Sequence, residues 1–214
     1  MRVMEGHVDI PDEVQTNNIK ELTTFPFPPA SECTYTNCYC EENVWKLCDH
    51  IRTKHPSHLE KCFVVFISNE EKQVPLWHQK ASKRPDRLVV WDYHVVLVYQ
   101  HDRGGLVYDL DTELLFPSPL ALYVEHAIGD DSWLKPEFHR RFRVVAGEEY
   151  LKEFASDRSH MTKEDGTWMV EPPTYPCIQT LACQNNLADF ISMQEGTGVG
   201  KVVDTKSLVK MFSQ

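Results

Sequence analysis

The chain has 214 residues, 42% hydrophobic and 25% charged, an ordinary globular mixture long enough to bury one sizeable core. A formal net charge of -10 argues against nucleic acid or an anionic membrane surface as partner, since either would repel it, and no apolar run approaches the ~18 residues of a membrane helix. The opening "MRVMEGHVDIPDEV" lacks the apolar stretch of a secretory signal, and seven cysteines, an odd number, suit thiols kept reduced, so a cytoplasmic protein is expected, with the nucleus as a second location.

Residues 1–30 differ from the rest. "DIPDEVQTNN" is polar and "TTFPFPPASE" holds three prolines, so a flexible arm draped on the surface is expected, followed by a single catalytic domain over 31–214. In "YCEENVWKLCDHIRTK", Val44, Leu47, Cys48 and Ile51 recur at i, i+3, i+4, i+7, the pattern of a helix buried on one side. Glu41 and Glu42 suit its first turn, and Lys46, Arg52 and Lys54 lie further along, as the helix dipole favours. "KCFVVFISN" (61–69) predicts a buried strand, with "QVPLWHQ" (73–79) as its hairpin partner and Pro75 pushing that partner to an edge. "RLVVWDYHVVLVYQ" (87–100) predicts one long strand, "HDRGG" (101–105) a turn, and "LVYDLD" (106–111) the return strand. Helices are expected over 119–128, 148–157 and in the segments "NNLADFISM" and "TKSLVKMF". Residues 138–147 read as a helix end or a strand, and "MVEPPTYPCI" as a loop. The class is α+β, a helix followed by an antiparallel sheet.

Within the long strand, Leu88, Val90, Asp92, His94, Val96 and Val98 share one face. Both faces are apolar, so the strand is expected to be central and covered on both sides. An imidazole buried there must be hydrogen-bonded and can serve as a base near neutrality, although a backbone carbonyl could satisfy it equally well. Cys40 opens the predicted helix, where unpaired N–H groups and a partial positive charge favour a thiolate and can hold an oxyanion. The same position suits a small core residue, which is the better reading of Cys48 on the apolar face. An aspartate on the return strand comes near His94. A turn centred on Arg103 places Thr112 opposite His94, so Asp109 needs a shifted turn or a bulge, and Asp111 competes with it on register. Cys, His and Asp in this order follow the chain order of papain- and transglutaminase-like thiol enzymes.

Zinc is the competing chemistry for Cys33, Cys38, Cys40, Cys48, His50, His55 and His58. C-x4-C-x-C is a poor zinc knuckle, however, and Cys40 and Cys48 are committed to a helix, so no metal is expected. The basic run "HRRFR" (139–143) reads as a solvated helix face rather than an anion site.

"YCEENVWKLC", "WDYHVVL", "YDLDT", "ASDRSHM" (155–161) and "PPTYPCI" (172–178) closely resemble the eukaryotic protein N-terminal glutamine amidohydrolase family, named for its WDYHV motif, in order from about Cys33 to about Met193. The resemblance implies a monomeric thiol amidase of transglutaminase/papain-like fold, with Cys40 as nucleophile, His94 as base and Asp109 as the orienting acid. It implies conversion of a free N-terminal glutamine of proteins or peptides to glutamate with release of ammonia, through a thioester and without cofactor, feeding the N-degron degradation pathway. Recognition of the substrate's α-ammonium calls for a carboxylate or carbonyls. Glu41, Glu42, Asp92 and Asp157 are the candidates. A non-catalytic module that binds N-terminal residues, and a related thiol peptidase or acyltransferase, are the alternatives.

Overall fold

The helix expected from the Val44–Leu47–Cys48–Ile51 spacing runs over Cys40–Lys54 (α1), with all four of those side chains buried. The computed structural model describes residues 26–213. Of the expected N-terminal arm, residues 1–25 lie outside the described residues. Phe27 packs its ring 4.0 Å from that of Tyr108 and 5.5 Å from that of Tyr99.

After α1 come β1 (Cys62–Ser68), β2 (Val74–Leu76), β3 (Val89–Trp91), β4 (His94–His101), β5 (Gly104–Tyr108) and β6 (Ser118–Pro119). Then α2 (Leu120–Tyr123) runs into a π-helical turn over Val124–Ile128, followed by β7 (Arg141–Ala146), α3 (Gly147–Glu153), α4 (Leu187–Ile191), β8 (Lys201–Val203) and α5 (Thr205–Phe212). Six strands form one antiparallel sheet in the order β6-β5-β4-β1-β7-β8. Alternation divides the core between its faces. Val64, Phe66, Val95 and Leu97 pack with α1, α3 and α4, while Val65, Ile67, Val96 and Val98 pack with α2 and α5. The strand carrying His94 is therefore central and covered on both sides. No described helix is long and apolar enough to cross a membrane.

Four local expectations are corrected. The 73–79 segment does not pair with β1, whose two edges are taken by β4 and β7. β2 pairs with β3 in a separate two-stranded sheet. The long strand 87–100 is broken at Asp92–Tyr93, where the Asp92 carboxylate accepts the Tyr93 N–H at 3.0 Å, a local bond that replaces the ladder. Val90 and Asp92 are accordingly exposed rather than continuous with the buried face of His94. The hairpin turn holds two residues, Asp102 and Arg103, with His101 opposite Gly104 at a φ of 113°. Next to it, a side chain on Gly105 would have its Cβ 2.9 Å from that of Phe212, so the glycine admits the end of α5. Lastly, "HRRFR" enters a strand, not a solvated helix face, and Arg140 and Arg143 are each 1% exposed. Their guanidinium groups are tolerated because Arg140 pairs with the Asp131 carboxylate at 2.9 Å and donates to the carbonyls of Ile128 and Gly129, while Arg143 donates to those of Ser192, Gln194 and Val199.

Candidate active site

Cys40 is the first residue of α1, and His94 is the first residue of β4, at the end of the sheet. Both line a cavity of about 190 Å³ together with Cys38, Trp91, Asp92, Tyr93, Asp111, His160 and Met161. His94 is 1% exposed, and its Nε2 lies 3.0 Å from Asp109 Oδ1. That leaves Nδ1 as the ring's second hydrogen-bonding atom. The ring stacks on Trp91 at 5.6 Å and 16°, and the Trp91 indole N–H donates to Gln79 at 3.1 Å.

The two-residue turn explains why Asp109 reaches the imidazole. Leu97 faces Tyr108, so extending the ladder puts Asp111 opposite His94 and Asp109 two positions away on the same face. A three-residue turn would have flipped both aspartates to the other side. No bulge is needed. Asp109 is fully engaged: Oδ1 also accepts the Asp111 N–H at 2.9 Å, and Oδ2 accepts the Tyr123 hydroxyl at 2.8 Å.

Electrostatics follow from this packing. Burial disfavours the His94 imidazolium, but the Asp109 charge and hydrogen bond, with Asp111 and Glu41 behind, outweigh it and hold the imidazole above the ordinary 6.5. Burial would raise Asp109, yet His94, the Asp111 amide and the Tyr123 hydroxyl hold its carboxyl below the usual range. Burial, then Glu41 and Asp111, push the Cys40 thiol up, and a backbone hydrogen bond at Val95 draws it the other way. Cys40 is therefore held as the thiol, and any attack by its sulfur would need a base to take the proton.

The four carboxylates considered for the substrate's ammonium fall in different places. Asp92 lies on the cavity wall and is exposed. Glu41 is fully buried, with Oε2 accepting the Tyr93 hydroxyl at 3.0 Å and Oε1 unpaired 3.6 Å from His160 Nε2. Burial pushes its carboxyl up to about 7. Glu42 is held by a two-pronged pair from Arg158, both bonds 2.8 Å. Asp157 accepts the Ser159 N–H and the Asn185 amide on the surface. Arg158 also donates to the carbonyls of Pro173 and Tyr175, and Ser156 bridges to Ile178. The segments 155–161 and 172–178 are thereby tied to each other and to α1.

Sequence reading assigned no role to Tyr35, Tyr93, Tyr123 or His160. Tyr93 stands inside the WDYHV run, which could have flagged it, whereas the others carry no local signal. The cysteines and histidines between Cys33 and His58 form no cluster of metal-ligand spacing among the described residues. The group that does, within 4.8 Å, is His94, Asp109 and Asp111.

An α+β frame that brings a thiol at a helix start and a buried imidazole to one small cavity, with a carboxylate behind the imidazole, presents the groups that a hydrolase working through sulfur would use. More narrowly, the chain belongs to the N-terminal glutamine amidase family, whose model matches residues 35–212. It is similar to proteins named protein N-terminal glutamine amidohydrolase. That of Danio rerio is 50% identical over 202 residues, 94% of this chain and 98% of the relative. That of Bos taurus is 50% identical over 188 residues, 87% and 90% of the two chains. That of Drosophila melanogaster is 47% identical over 191 residues, 89% and 93%.

Proposed function

We propose that this member of the family hydrolyses the side-chain amide of an N-terminal glutamine, giving glutamate and ammonia, with Cys40, His94 and Asp109 as its catalytic triad on a transglutaminase-like fold. The observation that carries the reading is the cavity shared by Cys40 and His94, with Asp109 buried 3.0 Å behind the imidazole. His94 takes the thiol proton as sulfur adds to the amide carbon. Backbone N–H groups at the start of α1 hold the oxyanion. His94 returns the proton to the leaving nitrogen, the C–N bond breaks, and ammonia departs from a thioester. Water, deprotonated by His94, then adds to the thioester and releases glutamate and the thiol. Asp109 keeps the ring oriented and stabilises the imidazolium. No step calls for a metal or an organic cofactor. The protein acts as a monomer in the cytoplasm and nucleus, and the new terminal glutamate enters the N-degron pathway.

The test is mass spectrometry of Gln-Xaa, N-acetyl-Gln-Xaa, Asn-Xaa and Xaa-Gln peptides after incubation, with Cys40→Ala as control. A gain of about one mass unit on Gln-Xaa alone, absent with the variant, is expected for amide-to-acid conversion through the thiol. Reaction of the acetylated or internal glutamine overturns the terminal specificity. No reaction at all favours a binding module.

A further inference from the structure

The free α-ammonium is what separates a terminal glutamine from an internal one. Given the function proposed above, the cavity points to the group that reads it. The ammonium stands four bonds from the amide carbon, roughly 5 Å in a staggered chain. Taken out of water, it needs a carboxylate partner. No lysine or arginine lines the cavity, and two carboxylates do, Asp92 and Asp111. Glu42 and Asp157 are bound elsewhere, Glu41 lies outside the cavity lining, and Asp109 is saturated by His94, Tyr123 and the Asp111 amide.

The two remaining carboxylates differ in setting. Asp92 is exposed, where water screens an ion pair. Asp111 is 7% exposed, and the Tyr35 hydroxyl donates to its Oδ1 at 2.6 Å, fixing the carboxylate. A carboxylate oxygen of Asp111 lies within 4.8 Å of a His94 ring nitrogen. Asp111 thus stands beside the imidazole, close enough for one substrate whose ammonium and amide are roughly 5 Å apart to reach both.

We infer that Asp111, fixed by Tyr35, binds the α-ammonium of the N-terminal glutamine and is the residue that makes the enzyme specific for a free chain end. Tyr35 is a positioning residue in this arrangement.

The experiment compares kcat/KM for a Gln-Xaa peptide with that for its des-amino analogue, 4-carbamoylbutanoyl-Xaa, which keeps the amide and lacks the ammonium. Excess protein and single-turnover conditions make slow hydrolysis measurable. The wild-type protein is expected to prefer Gln-Xaa strongly. Asp111→Asn should lower that preference ratio by about tenfold or more, since it removes an interaction only Gln-Xaa makes. Tyr35→Phe, at a partly exposed position where folding is least at risk, should lower it by about threefold. Equal losses on both peptides, with the ratio kept in both variants, would mean that Asp111 acts through His94, and the inference fails. It fails equally if Asp92→Asn collapses the ratio while Asp111→Asn and Tyr35→Phe keep it. Absence of wild-type turnover on Gln-Xaa removes the amidase reading itself, and is seen before any variant is compared.

Discussion

His94 sits between two opposed influences, burial that favours the neutral ring and Asp109 that favours the charged one, and Asp109 prevails. A raised imidazole must lose its proton before it can act as base, so kcat/KM should rise with pH through a pKa above 6.5. Asp109→Asn should cut kcat/KM by about 10²–10⁴-fold, through lost orientation, and move that acid limb to lower pH. A pH–rate profile of both proteins checks it. Glu41 makes the converse case. Its carboxyl titrates at about 7 in the fold against 4.5 in the reference state, so between these values the native protein binds the extra proton. Stability from this group is then greatest below pH 4.5 and is lost as pH rises through 7. Glu41→Gln should flatten this loss, seen as a smaller fall in Tm from pH 5 to pH 8. The placement of Cys40 at a helix start and of His94 on a covered strand was legible in the chain because helix position and strand burial are local properties. The state of Glu41 was not, since a glutamate in a first helical turn is ordinarily solvated, and only Tyr93 and the surrounding core enclose this one.

Elements are joined across the site by the Glu42–Arg158 pair, which binds the start of α1 to the loop over 155–161 and, through main-chain carbonyls, to 172–178. Both side chains are buried, so removing one strands the other's charge. Arg158→Ala should cost about 3–5 kcal/mol in a urea titration. Arg158→Lys should recover only part of this, because an ammonium cannot reproduce the planar fork. At this scale α1 and β1 are legible from period and composition alone. The break between β3 and β4 is not, because the apolar pattern continues through Asp92–Tyr93 while the hydrogen bonding does not. Nor are the buried arginines of 139–143, whose partners are the Asp131 carboxylate and carbonyls on Ile128, Gly129, Ser192, Gln194 and Val199.

For the molecule as a whole, a net charge of -10 surrounds a cavity whose charged wall is carboxylate. A cationic chain end is drawn to such a field and an internal glutamine is not. Raising ionic strength should therefore lower kcat/KM for Gln-Xaa, with a weaker dependence for the des-amino peptide, as the Debye length shrinks to about 10 Å at 0.1 M. Steady-state rates across a salt series check this. By itself the sequence determined an α+β chain, a cysteine at a helix start, a histidine on a covered central strand, and ordered motifs that mark the family. These follow from periodicity, residue type and spacing, which are local. Which carboxylates stand beside His94, and which are taken up elsewhere, was settled by packing between distant segments. A two-residue turn puts Asp109 and Asp111 on the face of His94, and Arg158, 116 residues away along the chain, occupies Glu42. A charge's partner is set by what folding brings beside it, and that contact is not written in the residues next to it.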